Sequence, residues 1–393
     1  MTAGRNDEIL TRWNLEKILT NRVRGIDSNP IVIFYGSRVE FNKSIPPQYK
    51  TLTELVYEND RDSKNMVIQI SDQPQPKSEP EKIRVENIVV GSDEYAGVRE
   101  HVIINFNNFL SKFDYDRLYL HNPPLQISNQ IKRLFPETEV HNQEYISLDI
   151  DDLKEINSKY DDRIIGQKSA KEKLLQALFP VTLSNRKKPI VILLYGMSGI
   201  GKTETAKFIS EIIGEPLFRK QFSMYQNSQF ANYLFGGAHY EKSFAKDLLD
   251  RESNVLLLDE FDKAHPSFHS AFYQLFDEGI YEDQNYYLEL KKSIIICTSN
   301  YLSLEEIEEN LGSPIFYRFD KIIHFKELTS EEKNKIGQKI LIESSQQFEM
   351  ILSPDVRERL FDSFIYCSNV RQIRNLIQDT FAFNAIVNEI EKE

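Results

Sequence analysis

Sulfur is scarce in this chain: 393 residues carry 2 cysteines and 5 methionines. Cys297 and Cys367 are too few for a disulfide framework, and no Cys/His group has metal-site spacing. That usage suits a reducing cytoplasm. Long apolar runs are also missing. Runs such as Ile190–Tyr195 are far too short to span a bilayer. The opening "MTAGRNDEIL" has no apolar core of a signal peptide, so no membrane role is expected. A basic excess is missing too: 48 Lys and Arg stand against 60 Asp and Glu, for a net charge of −12. This argues against a nucleic-acid partner, which needs clustered positive charge. The one tight basic cluster, "SNRKKP" at Ser184–Pro189, reads more simply as a solvated loop before a strand. His265 and His269 are four residues apart but have no third ligand, and read as structural or helix-surface residues rather than a zinc site.

What is present is an ordinary globular balance, 40% hydrophobic and 27% charged, long enough for two or three domains. The first region, 1–148, reads as α/β. A helix is expected over Glu8–Arg22 and strands at Ile31–Tyr35, Met66–Ile70, Ile83–Val90 and Leu118–His121. A helical stretch, Glu94–Phe113, sits among them. Asp114, Asp116 and Arg117 read as a strand-entry turn, and Ser71–Lys82 as an exposed Pro-rich loop. Phe106, Phe109, Phe113, Tyr115 and Tyr119 have core spacing. The acidic stretch Ser147–Asp162 reads as a solvated linker or a short connecting helix, with the linker proper at 149–162. In 163–327, the apolar runs Pro189–Tyr195, Val255–Leu258 and Ser293–Thr298 read as strands buried on both faces of a parallel sheet. The last region, 328–393, is helical, with starts at Ser330, at Ser353-Pro354 and at Asn369.

Chemistry concentrates in "GMSGIGKT", Gly196–Thr203. It follows an apolar strand and precedes a helical pattern, the context a phosphate loop needs. Gly196, Ser198, Gly199, Ile200 and Gly201 supply backbone N–H groups around phosphate oxygens at the positive end of a helix. Lys202 would reach the β- and γ-phosphates of ATP, and the Thr203 hydroxyl would hold Mg²⁺. The run "VLLLDEFDKAH" then ends a buried strand on two carboxylates. Asp259 suits Mg²⁺, and Glu260 can polarise a water for attack on the γ-phosphate.

With these motifs, about Asp162 to the C-terminus resembles the AAA+ ATPases of the Clp chaperone branch. The resemblance implies a P-loop parallel sheet with a helical lid, behind a separate α/β N-terminal domain. "DRIIGQKSAKEKLLQAL" is similar to the Clp adenine-pocket segment, which implies that Ile164 and Ile165 contact the base. "IIICTSN" resembles the sensor-1 strand, with Asn300 beside the γ-phosphate. "SPIFYRFDKIIHF" resembles the arginine-finger segment, with Arg318 as the finger; a surface salt bridge is the plainer reading of that residue. "SNVRQIRNLIQ" resembles the sensor-2 helix, with Arg371 in the sensor position. A finger reaching a neighbour's site implies a homo-oligomeric ring, a hexamer.

Two stretches depart from the resemblance. Tyr240 stands near the place of an aromatic pore residue, but Glu241-Lys242 follow it in place of Val-Gly. It reads equally well as an exposed aromatic. "YLSLEEIEENLG" after Asn300 is short and acidic, without the tip that meets the Clp peptidase, so that partner is not expected. The implied function is ATP-driven remodelling or unfolding of protein partners, with substrate or adaptor recognised by the N-terminal domain. The alternative is a nucleotide-gated switch or sensor, as in phage defence, that assembles with a partner without threading it. One coincidence remains. "PIVIFYGSR" at Pro30 and "PIVILLYGMSGIGKT" at Pro189 share their opening. Because the first lacks Gly-Lys-Thr and no Asp-Glu strand tip follows it, the shared letters are expected to reflect only a buried strand that turns sharply.

Overall fold

The computed structural model describes residues 30–66, 82–183, 186–224 and 229–390. The expected helix Glu8–Arg22 and most of the loop Ser71–Lys82 lie outside them. Met66 ends the helix Leu52–Met66 instead of opening a strand, and the rest of Met66–Ile70 lies outside the described residues.

The N-terminal unit is a parallel five-stranded sheet of β1 (Ile31–Tyr35), β2 (Lys50–Thr51), β3 (Ile83–Val90), β4 (Phe113–His121) and β5 (Glu139–Asn142), in the order β2-β3-β4-β1-β5. Its core holds Ile33, Ile88, Phe106, Leu118 and Ile131. Phe109, Phe113, Tyr115 and Tyr119 are buried as well. Asp114 and Asp116 are not a turn before β4. They project from within it and pair with Arg84 of β3 at 3.1 and 2.5 Å. The stretch Glu94–Phe113 breaks into a 3₁₀ turn and two short helices, Glu100–Ile104 and Phe106–Leu110. Asn105 leaves the helical region between them, at φ −120° and ψ 45°.

The second unit is built on β6 (Ile190–Tyr195), β7 (Phe218–Gln221), β8 (Val255–Asp259), β11 (Ile294–Ser299) and β12 (Lys321–His324), all parallel, in the order β12-β6-β11-β8-β7. A separate antiparallel ribbon pairs β9 (Ile280–Glu282) with β10 (Tyr287–Glu289). Every residue of β6, β8 and β11 is buried, which is why these strands read as unbroken apolar runs. Apolar side chains cover both faces, Leu193, Leu258 and Phe272 on one and Ile192, Leu257 and Ile296 on the other. The helices Ser330–Gln347, Pro354–Phe364 and Val370–Ile390 close around Ile340, Phe364 and Ile377.

The acidic stretch before the second unit is the helix Ile150–Arg163, capped by Asp149 with a capping box to Asp152. Its acids face solvent, but Ile156 and Tyr160 are fully buried in the same core as β6. Tyr160 also meets Thr205 of the helix Lys202–Ile213 at 3.3 Å. The stretch is therefore a packed layer of this unit and not a solvated tether. Ile156→Ala should lose about 2–5 kcal/mol in urea unfolding. A loss below about 0.5 kcal/mol would mean the helix is only a connector.

Candidate active site

The strand β6 ends in a turn that only glycine fits. Gly196 has φ +133°, and a Cβ there would collide with the carbonyl oxygen of Phe325. Gly199 and Gly201 follow at φ +73° and +111°. Among the described residues, no other group takes up the backbone N–H groups of Gly196–Gly201. Ser198 is exposed, whereas Ile200 is buried and anchors the loop to the core. The helix Lys202–Ile213 starts directly beyond, so the loop is an open ring of donors at a positive helix end.

Lys202 is buried, with its ammonium curled over the loop. It donates to the carbonyls of Gly196 (2.5 Å) and Met197 (2.7 Å) and to Asn300 Oδ1 (3.2 Å). Burial pulls its pKa down to about 8, against the pull of Asp262, Asp259 and Glu260. Thr203 Oγ1 lies 3.2 Å from Asp259 Oδ1. Glu260 follows Asp259 in a left-handed conformation, φ +54°, which costs a non-glycine residue roughly 1–3 kcal/mol. Its backbone N–H donates to Thr298 Oγ1 at 2.9 Å.

Sequence reasoning missed the residues that hold these groups. Arg219 donates to Asp259 Oδ2 at 2.5 and 3.0 Å, and Gln221 to Glu260 Oε2 at 3.1 Å. Their i, i+2 spacing on β7 puts them on one face of the strand, the only signal available beforehand. Thr298 of β11 donates to Asp259 Oδ1 at 2.5 Å. Gln167 is buried and ties its side-chain amide to both the N–H (3.0 Å) and the carbonyl (2.8 Å) of Lys326.

The remaining expected residues divide. Ile164 is buried behind the loop, 3.1 Å from where a Gly201 Cβ would sit, and Ile165 beside it is half-buried. Arg371 is exposed in the first turn of Val370–Ile390, and that helix touches the loop through Val370 N–H to Gly199 O at 3.0 Å. Arg318 makes its contacts elsewhere. It pairs with Asp277 (2.8 Å), donates to Pro314 O (2.6 Å) and lies 4.3 Å over the Tyr273 ring. Tyr240 is 61% exposed. His269 is buried against Phe261, and no metal-binding group of His, Cys, Asp and Glu occurs among the described residues.

A family model described as "AAA domain (Cdc48 subfamily)" matches residues 187–362. The chain carries an AAA+ ATPase module of the Clp type. Over 165 residues it is 34% identical to the chaperone protein ClpB of Yersinia enterocolitica, a match covering 39% of this chain and 18% of the relative. Over 267 residues it is 27% identical to the Clp protease ATP-binding subunit ClpE of Bacillus subtilis, covering 58% of this chain and 38% of the relative. The chain thus spans less than two fifths of either relative. In fold it is similar to a chain of a closed-state Hsp104 reconstruction with ATPγS and FITC-casein. There the TM-score is 0.54 and the identity 16%, with 100% of this chain and 92% of the other covered.

The AAA+ site is shaped for a polyphosphate and a hard cation. Gly196, Gly199 and Gly201 take positive φ in a loop whose N–H groups are left unpaired, and the Thr203 and Asp259 oxygens beside it are the kind Mg²⁺ takes. Phosphate next to Lys202 must restore its ordinary pKa, so nucleotide binding takes up a proton where the free lysine is partly neutral. Affinity should fall as pH rises through about 8, with an uptake of about half a proton per nucleotide at that pH and almost none at pH 6.5. Calorimetry in buffers of different ionisation heat measures this, and Lys202→Arg should abolish it.

Proposed function

We propose that this chain hydrolyses ATP with Mg²⁺ in an oligomeric ring, a hexamer, and uses the cycle to remodel or unfold protein partners. The observation that carries the reading is the convergence of Lys202, Asn300, Thr203, Asp259 and Glu260 on one glycine loop whose N–H groups are unspent. Phosphoryl transfer asks mainly for positioning and charge neutralisation. Lys202 offsets the β- and γ-phosphate charge, and Asn300 keeps that lysine forward. Thr203 and Asp259 hold Mg²⁺, which supplies further positive charge on the phosphate oxygens when bound. Glu260 accepts a proton from the attacking water, with its carboxylate steadied by Gln221. Ile164 and Ile165 pack the base, and Arg371 brings the lid's charge to the γ-phosphate.

Arg318 serves as the finger for the neighbouring subunit, and must first leave Asp277. The ring reading is supported by an apolar stripe on the last helix, where Phe383, Ile386 and Ile390 are 67%, 58% and 67% exposed at i, i+3, i+7 spacing. The N-terminal unit recruits the substrate or adaptor. The Clp peptidase is not a partner in this reading, and neither is nucleic acid. Both cysteines are free and buried, which supports a cytoplasmic location, and no described helix is long and apolar enough to cross a membrane.

Glu260→Gln should keep ATP bound and the oligomer intact while turnover falls about 10²-fold or more, read by phosphate release and mass photometry. Wild-type protein without ATPase activity under any nucleotide, salt or partner condition would sink the proposal.

One observation favours a second reading, a nucleotide-gated switch that assembles with a partner, as in phage defence, without threading it. The loop before Tyr240 is tied down. His239 Nε2 meets the Val98 carbonyl of the N-terminal unit at 3.0 Å, and Lys246 Nζ clamps the carbonyls of His239 (2.6 Å) and Glu241 (2.8 Å). If the chain threads polypeptide, Tyr240→Ala should lose about tenfold or more in unfolding of a tagged substrate while retaining ATPase activity. Unimpaired function of Tyr240→Ala selects the switch.

A further inference from the structure

The two sheets share one blueprint. Within its own unit each follows the order second, third, fourth, first, fifth: β2-β3-β4-β1-β5, and β7-β8-β11-β6-β12. Both are wholly parallel. The register aligns them residue by residue. Tyr35 pairs with Asn142 as Tyr195 pairs with His324, and Phe34 with His121 as Leu194 with Thr298. The same backbone bond backs both Tyr-Gly turns, Gln143 N–H to Tyr35 O and Phe325 N–H to Tyr195 O, each 2.8 Å. Gly36 (φ +154°) matches Gly196, and a Cβ on either would strike the residue that follows the fifth strand. Chance sharing of the "PIVI" and "YG" letters does not account for a matching strand order, register and turn.

What differs is the chemistry. The six residues 196–201 between strand and helix correspond to only 36–37 in the first unit, so four are gone. The N–H groups that remain are spent. Gly36 donates to Asn122 Oδ1 (3.0 Å), Ser37 to Gln143 Oε1 (2.6 Å) and Arg38 to Asp250 Oδ1 (2.8 Å). The Gly36 carbonyl accepts from Asn122 Nδ2 and from His121 Nε2, both at 2.8 Å. By register Val90 aligns with Leu258, so Gly91 and Ser92 stand where Asp259 and Glu260 stand, and no carboxylate pair closes the strand tip.

Asp250 belongs to the second unit, and it is not alone in crossing over. His239 reaches the Val98 carbonyl, Leu125 N–H donates to Asn285 O at 2.8 Å, and Arg251 lies 4.0 Å over the Tyr145 ring. The cleft left between the units, about 850 Å³, is lined by Asp93, Asn122, Lys220, Tyr240, Lys242 and Asp250. We propose that residues 30–146 are a second, nucleotide-free copy of the P-loop sheet, whose closed phosphate end is the seat for the catalytic module's own segment from His239 to Asp250. The inference rests on reading the Gly196 loop as a phosphate cradle. It gives the chain one nucleotide site and puts the Tyr240 loop on the seam between the two units, so substrate or adaptor recruitment must use another face of the first unit.

Two measurements on the full chain test it. Equilibrium dialysis with ATPγS should find one nucleotide per wild-type chain and none bound to Lys202→Ala. A second nucleotide per chain, or binding that survives Lys202→Ala, overturns the nucleotide-free copy. Failure of the proposed hydrolysis would show differently, as one bound nucleotide that is never turned over. Amide hydrogen exchange tests the seat. His239→Ala combined with Asp250→Ala should speed exchange at 36–38 and at 237–242 about tenfold, with β6 unchanged as the folding control. Asp250→Leu, which keeps the size but offers no acceptor to the Arg38 N–H, replaces the alanine if β6 also opens. Unchanged exchange at 36–38 overturns the seat.

Discussion

The close approach of Gly196 to the Phe325 carbonyl is the constraint from which the active site follows. Strand β6 has to end against the last residue before the lid connection, with Phe325 N–H bonded to Tyr195 O, and there is no room for a side chain. The glycine loop and the connection to the C-terminal helices are therefore one packed joint. Gln167 fastens the next residue, Lys326, by both of its backbone groups. Gly166 sits so close to Glu332, in the first turn of the first lid helix, that a Cβ there would collide with its carboxylate. The last lid helix returns to the loop through Val370. A ligand that shifts the loop would press on this connection, because close-packed interiors transmit strain.

The second constraint is electrostatic. Burial lowers the pKa of Lys202, and the charges of Asp262, Asp259 and Glu260 pull against it. Those carboxylates are in turn kept in place by neutral and cationic donors from other strands. Thr298 bonds both Asp259 and the Glu260 N–H, and Arg219 takes the other oxygen of Asp259. The carboxylates are held before any ligand enters, whereas Lys202 spends its N–H groups on Gly196 O, Met197 O and Asn300 Oδ1 and has to turn from them to meet a phosphate. Arg219 must move as well. Its guanidinium, 43% exposed, occupies an Asp259 oxygen that a cation would also use, so it has both the reason and the freedom to move.

The strands β6, β8 and β11 and the glycine loop could be read from the sequence because each depends on neighbours in the chain: an apolar run for burial on two faces, glycines for positive φ. Arg219, Gln221 and Thr298 could not, because they act across strands, and which strands adjoin is a property of the sheet order. The helix Ile150–Arg163 misled for a different reason. Its acids are consecutive and conspicuous, while its buried contacts, Leu148 just before it, Ile156 and Tyr160, are spread thinly among them. The kinship of the two units left only "YG" in the letters, because in the shared register Ile31 stands opposite Val191 and "PIVI" falls one residue out of step. Topology and register survive changes in nearly every side chain, so long as alternate residues stay apolar.

The way the first unit closes its turn follows from the cost of unpaired backbone donors. N–H groups buried at such a turn cannot be left unpaired, since each costs about 1–3 kcal/mol. Shortening the loop removes most of them. The side-chain amides of Asn122 and Gln143 take two more, and amides suit the task because they bring acceptors without a charge that needs its own partner. Asn122 adopts φ +44° to do so, a conformation asparagine tolerates better than most residues. Only the Arg38 N–H, at the rim, is met by a charge, and that carboxylate comes from the other unit. A closed turn with one donor left at its edge becomes a joint, and the geometry that leaves N–H groups open in one half of the molecule holds the two halves together in the other.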